Sequence, residues 1–346
     1  MAKHNNLWQV DPKEFFTIIK DDDRIKFLLR YAVLSPSTHN SQPWLFKVDN
    51  NKCFIYPDPD KKLPEADPQS RDLYISLGCC LENLAIAARY FGLLDKIEYI
   101  PQGFKINEIA PAAAVWFKNG KGHQDSAWLA LLEAITQRVN ARGLFRKKPI
   151  PENLFSQIKK LPPPEGLQLA LVSDKNKIKK LARLTAEGIT LAYNQKKFRQ
   201  EAANWINHSF SCKKEGIHGY ALKMPALLSF VFPTLIRKFN LGKKLSQLNL
   251  VSVRSAPLIC VISSDQETPD SWLRIGRLAE RLMLEFNAAG VNTSIFVAAV
   301  EMGELQQQVK QIVETEKKPQ FIFCAGYLPG HHRHTARFAV ANKLIN

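Results

Sequence analysis

The stretch Ser35-Pro36-Ser37-Thr38-His39-Asn40-Ser41-Gln42-Pro43-Trp44 decides how the rest of the chain is read. Two prolines, several Ser/Thr and an Asn tolerant of left-handed backbone make it a loop. Such a loop presents free backbone N–H groups and short side-chain donors, which suit a planar heterocycle edged with carbonyls and ring nitrogens. An ordinary turn between a helix and a strand is the alternative that composition leaves open. Upstream, residues 24–34 read as a helix that stops near Ser35, because Pro36 disfavours a helical residue before it. Downstream, residues 44–49 and 52–56 read as two short strands around an Asn50-Asn51 turn.

Further along, residues 73–90 form a largely apolar helix with Gly92 as its C-terminal cap, followed by strands at 96–100 and 112–117. Residues 120–125 are polar and read as a joint. A second series follows: helices at 126–136 and from Pro151, a strand at 167–172, a helix at 175–193 and a strand at 252–263. It continues with a helix at 271–289 stopped by Gly290, an apolar strand or loop at 291–299 and a last strand at 320–327. Two helices match. Gly78, Glu82 and Gly92 repeat as Gly276, Glu280 and Gly290, with spacings of four and fourteen residues in both, preceded by Tyr74 and Trp272. A glycine one turn before a glutamate on one helical face predicts close helix-to-helix approach through the glycine. The alternative is coincidence between two Ala/Leu-rich helices.

The bulk numbers exclude several classes. With 346 residues and 45% apolar content the chain can bury a large core and is not fibrous or disordered. No stretch reaches the ~18 uncharged apolar residues of a spanning helix, and the first ten residues show no leader pattern. Six cysteines without a CxxC pair read as free thiols of a reducing compartment, hence a cytoplasmic protein. The net charge of +16 is uneven: residues 193–248 hold ten Lys/Arg against Glu201 and Glu215, half of the excess. No zinc-finger spacing, basic helix with interleaved aromatics or RRM motif accompanies it, so nucleic acid is not the expected partner. The cluster His331-His332-Arg333-His334 lacks an acid or thiol at ligand spacing and reads as a solvated loop, so no metal is expected.

The 35–44 string closely resembles the P-S-x-x-N-x-Q-P-W loop of nitroreductase-family flavoproteins, and it sits after a helix and before a strand as theirs does. Arg138-Val139-Asn140-Ala141-Arg142 resembles their R-x-S-x-R/K motif, with Asn140 where Ser or Thr is usual. Alternate residues of an extended backbone project to one side, so Arg138, Asn140 and Arg142 are expected to converge on one ligand, and arginine suits bidentate phosphate contact. Phe321-Ile322-Phe323-Cys324-Ala325-Gly326-Tyr327 with the later Arg337 resembles the closing strand and the arginine that completes the phosphate site, Arg333 being the fallback. Residues 290–298 resemble the segment past the flavin N5 face, where Ser294 or a neighbouring N–H would point, but Val297-Ala298 stands where many nitroreductases have Glu-Gly.

Within that superfamily the chain looks most like the Acg family, whose members fuse two nitroreductase-like halves around one FMN. The resemblance implies an α+β, nitroreductase-like fold of mostly antiparallel sheets flanked by helices, with halves at 1–125 and 126–346 forming a pseudo-dimer, and a basic lid at about 193–248. It implies FMN held by Pro36, Ser37 and Asn40 on the ring side, and by Arg138, Asn140, Arg142, Ser294 and Arg337, with Arg142 near the flavin N1–C2=O edge. There a fixed cation stabilises the negative charge of reduction. The function implied is hydride transfer from NAD(P)H to a small quinone or nitroaromatic acceptor; an FMN-sequestering protein without turnover is the alternative. The fused halves remove the family's usual reason to dimerise, so a monomer is expected. The apolar run 224–236 within the basic segment reads as broken by Pro225 and Pro233, and a lid is preferred there over a membrane-surface helix or an oligomer contact.

Overall fold

A computed structural model describes residues 7–100, 103, 105 and 109–345. Residues 1–6, part of the stretch read for a leader, lie outside the described residues. The first series is α1 (Asp21–Ala32), β1 (Trp44–Asp49), β2 (Lys52–Pro57), α2 (Arg71–Tyr90), β3 (Leu94–Tyr99) and β4 (Ala113–Phe117). Then come α3 (Leu129–Gln137), α4 (Glu152–Lys160), β5 (Leu167–Val172) and α5 (Lys175–Asn194). The basic segment folds as α6 (Lys196–Asn204), β6 (Ile206–Asn207), β7 (Ile217–His218), α7 (Ala226–Lys238) and α8 (Gly242–Ser255). The chain closes with β8 (Leu258–Ser264), α9 (Pro269–Ala288), β9 (Asn292–Ile295), α10 (Gly303–Val313) and β10 (Lys318–Gly326).

The fold is α+β. Two four-stranded sheets have the orders β1-β2-β4-β3 and β5-β8-β10-β9, and every pairing within them is antiparallel. In both, the sequence order of strands is first, second, fourth, third, with one long helix between the second strand and the third: α2 in one, α9 in the other. The two helices also end alike. Gly92 adopts φ +67° and Gly290 φ +72°, a left-handed conformation that costs glycine nothing. Beyond them Leu93 N donates to Ala88 O at 2.8 Å, and Val291 N to Phe286 O at 2.9 Å.

Both helices are buried on nearly all sides because their glycines let the backbones touch. A methyl group built on Gly78 would lie 2.2 Å from Leu273 O, and one on Gly276 would lie 2.0 Å from Ile75 O. The expected close approach is therefore made by the two glycines against each other. One turn earlier the rings of Tyr74 and Trp272 meet at 6.3 Å. These glycine and ring contacts map onto one another when helix α2 is exchanged for α9.

Alternation of side chains separates the faces of the second sheet. Val261, Phe296, Ile322 and Cys324 join α5, α8 and α10 in one apolar cluster, while Cys260, Ile262, Phe321 and Phe323 pack on α9 and α4 in another. The chain's tail returns to the first sheet, where Phe46 N donates to Lys343 O at 2.8 Å and Ile345 N to Phe46 O at 2.9 Å.

Two expectations are corrected. The strand read at 252–263 begins only at Leu258, because Ser252–Ser255 close α8. Pro233 does not break the run 224–236: Pro225 caps α7 and Pro233 lies inside it. A proline ring removes one ladder bond, and burying Phe232 and Ile236 against Ala202, Ala203 and Ile206 offsets that loss.

The crossing gives a first prediction. Gly276→Ala forces a methyl group into the Ile75 carbonyl and should destabilise the protein by about 3 kcal/mol in urea titration, the upper range for overpacking. Gly303→Ala, where nothing lies within 4 Å, should leave the midpoint nearly unchanged.

Candidate functional site

Loop 35–44 is held in a costly conformation. His39, Asn40 and Gln42 have φ of 53°, 55° and 54°, in the left-handed region that non-glycine residues avoid. The strain is met by many cross-links. Ser37 Oγ accepts from Gln42 N at 2.9 Å. The Asn40 amide donates to Gly216 O at 3.3 Å and Ala336 O at 3.2 Å. Gln42 donates from its side chain to Lys214 O at 2.7 Å and accepts from Phe338 N at 2.8 Å. Pro36 is buried at the start of the loop. The basic segment and the C-terminal stretch thus both close over this loop.

Arg138 and Arg337 converge behind it. Arg138 Nη2 and Arg337 Nη2 donate to the same carbonyl, Leu34 O, at 3.2 and 3.4 Å. Arg337 also donates to Ser35 O at 3.1 Å and, from Nη1, to Asn40 Oδ1 and Thr335 Oγ1, both at 2.6 Å. Its face lies over the Trp8 ring at 4.9 Å, a cation–π contact. Arg138 pairs with Glu280 at 3.1 Å, with both side chains buried. Two guanidinium groups thus share one carboxylate. Burial and the neighbouring Arg138 push Arg337 down to about 9, so it remains charged at neutral pH. Burial raises Glu280 against the pull of Arg138. The fallback Arg333 instead covers the Tyr220 ring at 4.4 Å.

The 138–142 segment is extended where it meets the second sheet, as expected, but its three polar side chains do not share one target. Residue 140 bridges Thr293 in parallel, Ala141 N donates to Thr293 O at 3.0 Å, and Asn140 Oδ1 accepts from Ile295 N at 3.1 Å. Asn140 is therefore spent on seating the segment along the β9 edge. Arg142 runs the other way from Arg138, stacking over Phe296 at 5.1 Å and acting on Cys324 and Tyr193. Burial lowers its pKa, and among the described residues it makes no ion pair. Ser294 stands opposite Cys324 in the β9–β10 register, which puts both side chains on one sheet face, the face of Phe296. Its hydroxyl is fully buried with no hydrogen-bond partner. Arg142 and Ser294 thus line the same apolar face, a cation and a hydroxyl both lacking partners.

A carboxylate network was missed in the sequence. Arg71 donates to Asp72 Oδ1 at 2.9 Å and Val300 O at 2.7 Å, and lies 3.8 Å from Glu301. Thr38 of the loop donates to Asp72 Oδ2 at 3.2 Å, and Asp67 accepts from Leu73 N at 2.8 Å. Burial, then Asp72, raises Asp67 to about 6 and drives Glu301 well above the usual carboxylate range. Three carboxylates thus crowd one arginine beside the loop. Only the Arg71-Asp72 pair in the first turn of α2 hinted at it. Nothing in the sequence marked Trp8.

These residues fit an anionic ligand with a hydrogen-bonding edge: Arg142 lacks a counter-charge, Ser294 lacks a partner, and Arg138 with Arg337 carries an excess positive charge. The Asn40 amide and the two Nη groups of Arg337 are nevertheless engaged with protein oxygens, while Arg337 Nε is buried without a hydrogen-bond partner among the described residues. A cleft of about 210 Å³ lined by Asn204, Trp205, Asn207, Lys213, Glu215 and Gly216 adjoins the loop, below the roughly 300–1,000 Å³ usual for ligand pockets.

No family model matches the chain. It is similar to two curated proteins of Mycobacterium tuberculosis. "Putative NAD(P)H nitroreductase Rv3131" (strain ATCC 25618 / H37Rv) is 22% identical over 92% of this chain and 89% of that protein. "Putative NAD(P)H nitroreductase acg" of the same strain is 22% identical over 89% of this chain and 90% of that one. Among solved structures, the FMN-dependent nitroreductase NfnB from Mycobacterium smegmatis in complex with NADPH overlaps 63% of this chain and 93% of its own, at 19% identity and TM-score 0.37. Nitroreductase A from Vibrio parahaemolyticus overlaps 60% and 70%, at 13% identity and TM-score 0.35.

The carboxylate network gives a pH prediction. Asp67 holds its proton more tightly folded than unfolded, so its contribution to stability is present below its unfolded value, near 4, and is lost as pH rises to about 6. Asp67→Asn keeps the acceptor for Leu73 N and removes this dependence. Urea titrations should show the variant gaining about 3 kcal/mol on the wild type between acid and neutral pH.

Proposed function

We propose that this chain, which resembles the nitroreductase superfamily and most of all its Acg members, is an FMN-dependent oxidoreductase. The observation that carries this is Arg142 beside Ser294: a guanidinium without a counter-charge and a buried hydroxyl without a partner, on the segments whose motifs resemble the flavin-binding segments of that superfamily. Similarity to proteins named NAD(P)H nitroreductases over about nine-tenths of the chain supports the same conclusion. Bound FMN would supply two-electron redox chemistry, taking hydride from NADH or NADPH and passing reducing equivalents to a small quinone or nitroaromatic acceptor.

The protein's own part is binding, orientation and electrostatics. Arg142 supplies a fixed cation in an apolar setting, where it stabilises developing negative charge more than it would in water. Ser294 offers one hydrogen bond from the sheet face. Arg138 and Arg337 provide the cationic end near Leu34, and loop residues Pro36, Ser37 and Asn40 form the opposing wall. Asn140 acts by seating the 138–142 segment on β9. The basic segment serves as a lid, its backbone oxygens at Lys214 and Gly216 tied to Gln42 and Asn40. Opening these two ties would release the loop from the basic segment, leaving Asn40 tied to Ala336 O. The halves 1–125 and 126–346 are a fused, diverged duplication, with one site because only one half carries the loop.

A second reading has its own observation. The Asn40 and Gln42 amides of the loop are engaged with protein, and Val297-Ala298 replaces the Glu-Gly pair. Both favour slow exchange and flavin storage without turnover.

The purified wild-type protein should be yellow. Arg142→Ala and Ser294→Ala remove groups that no protein partner needs, so thermal midpoints of the flavin-free proteins should match wild type. FMN affinity should fall about tenfold or more for Arg142→Ala, the range for a lost charge-assisted hydrogen bond. Anaerobic mixing with NADH and NADPH then separates the two readings: bleaching of the flavin's visible band with either donor supports the oxidoreductase, and no bleaching with both leaves storage.

A further inference from the structure

The basic segment has an outer surface that its role as a lid does not use. On α7 the side chains of Ser229, Phe232 and Ile236 face inward, while Leu227 is 83% exposed, Phe230 50% and Val231 51%. Leu227, Phe230, Val231, Thr234 and Lys238 follow one another at helical spacing, so they form a single outward stripe. Phe210, itself 67% exposed, continues the patch by packing its ring against Phe230. A contiguous exposed apolar patch of this kind marks an interaction surface.

The exposed charges around it have one sign: Lys213 and Lys214 follow Phe210 in the chain, Arg237 and Lys238 close α7, and Lys243 and Lys244 come shortly after it, all exposed. The segment's two acids are turned inward: Glu215 pairs with Lys61 at 2.6 Å, and Glu201 accepts from the backbone N–H groups of Glu65 and Ala66. Cations flank α7 at both ends, Lys223 before its first turn and Arg237 and Lys238 in its last.

We propose that the outer face of α7 docks this protein onto an anionic lipid bilayer. Apolar side chains flanked by Lys and Arg suit the boundary between headgroups and acyl chains, where the apolar stripe enters the acyl region and the cations meet lipid phosphates. The helix is already folded and packed on its inner side, so docking needs no ordering of the chain. A second copy of the protein suits this surface poorly, because a two-fold contact sets the patch against itself and brings like charges together with no acid between them. Nucleic acid would use the cations but leaves Leu227, Leu228 and Val231 without hydrogen-bonding or stacking work. The inference does not depend on flavin chemistry.

Co-sedimentation of the full-length protein with two kinds of vesicle tests it: phosphatidylcholine alone, and phosphatidylcholine with phosphatidylglycerol in equal parts. The expected result is binding to the anionic vesicles at least about tenfold stronger than to the neutral ones, weakening as salt rises. Leu227→Ser with Phe230→Ser should lower that binding about tenfold or more, while the thermal midpoint and visible spectrum stay as in wild type. Arg237→Glu with Lys238→Glu should lower it likewise. No binding to anionic vesicles overturns the proposal. So does binding insensitive to the double serine change, which would mean charge adsorption only. Self-association without lipid that the double serine change abolishes, or tighter binding to duplex DNA than to vesicles, assigns the face to another partner.

Discussion

The contact between Gly78 and Gly276 is the constraint from which the rest follows. With no side chain at either position, α2 and α9 approach until each glycine meets a backbone carbonyl of the other helix. One turn on, the glutamates Glu82 and Glu280 are carried into a region too crowded to leave charge unpaired. Glu82 is met by Arg277 of the opposite helix at 2.7 Å, and Glu280 by Arg138 at 3.1 Å. A buried carboxylate of this kind stays ionised only with a partner in good geometry, so the crossing fixes where Arg138 must be. Arg138 in turn shares the Leu34 carbonyl with Arg337, and Arg337 holds Asn40. The strained loop is thus placed by a chain of contacts that starts at two missing side chains.

Around the same crossing, two units of matching sheet order present different side chains. Sheet order, the long central helix and its glycine-capped end recur in both, yet the partners of the two glutamates do not. Position 277 holds an arginine whose counterpart in α2 is Cys79, and Cys79 donates to Gly276 O at 3.3 Å. The backbone architecture is duplicated, and the side chains that bear charge are not. The proposed single site is the natural outcome, since only one end of the crossing has both the left-handed loop and the arginines that brace it.

How much of this was legible depended on whether the signal is local. The glycine spacing, the capping glycines and the loop composition are backbone requirements that a few neighbouring residues declare, and all three appear in the structure. Which way Arg138, Asn140 and Arg142 point is not local. Alternation along an extended strand predicts one side for all three, but pairing with the β9 edge consumes Asn140, and Glu280 draws Arg138 toward the junction. Neither partner is visible from the motif itself. Pro233 misled for a related reason: the rule that proline breaks helices holds unless tertiary burial offsets one lost bond, and the burying residues lie some thirty positions upstream. The Asp67–Asp72–Glu301 cluster joins residues more than two hundred positions apart, so no spacing rule could have gathered it.

The charge excess divides into two populations with different physics. Arg138 and Arg337 are removed from water with Glu280 as the carboxylate beside them, and Arg142 is half-buried with no ion pair among the described residues; a cation short of counter-charge is costly, and on the function proposed above a bound anion would complete the balance. The exposed cations of the basic segment are solvated and cost little to maintain. Their information lies in arrangement: acids are absent from their surface and apolar side chains stand between them. A solvated cation needs no apolar neighbour, and an exposed leucine needs no cation, so their combination on one helix reflects a partner with both properties. On the two proposals above, the basic segment would face a small anionic ligand on its inner side and an extended anionic surface on its outer side.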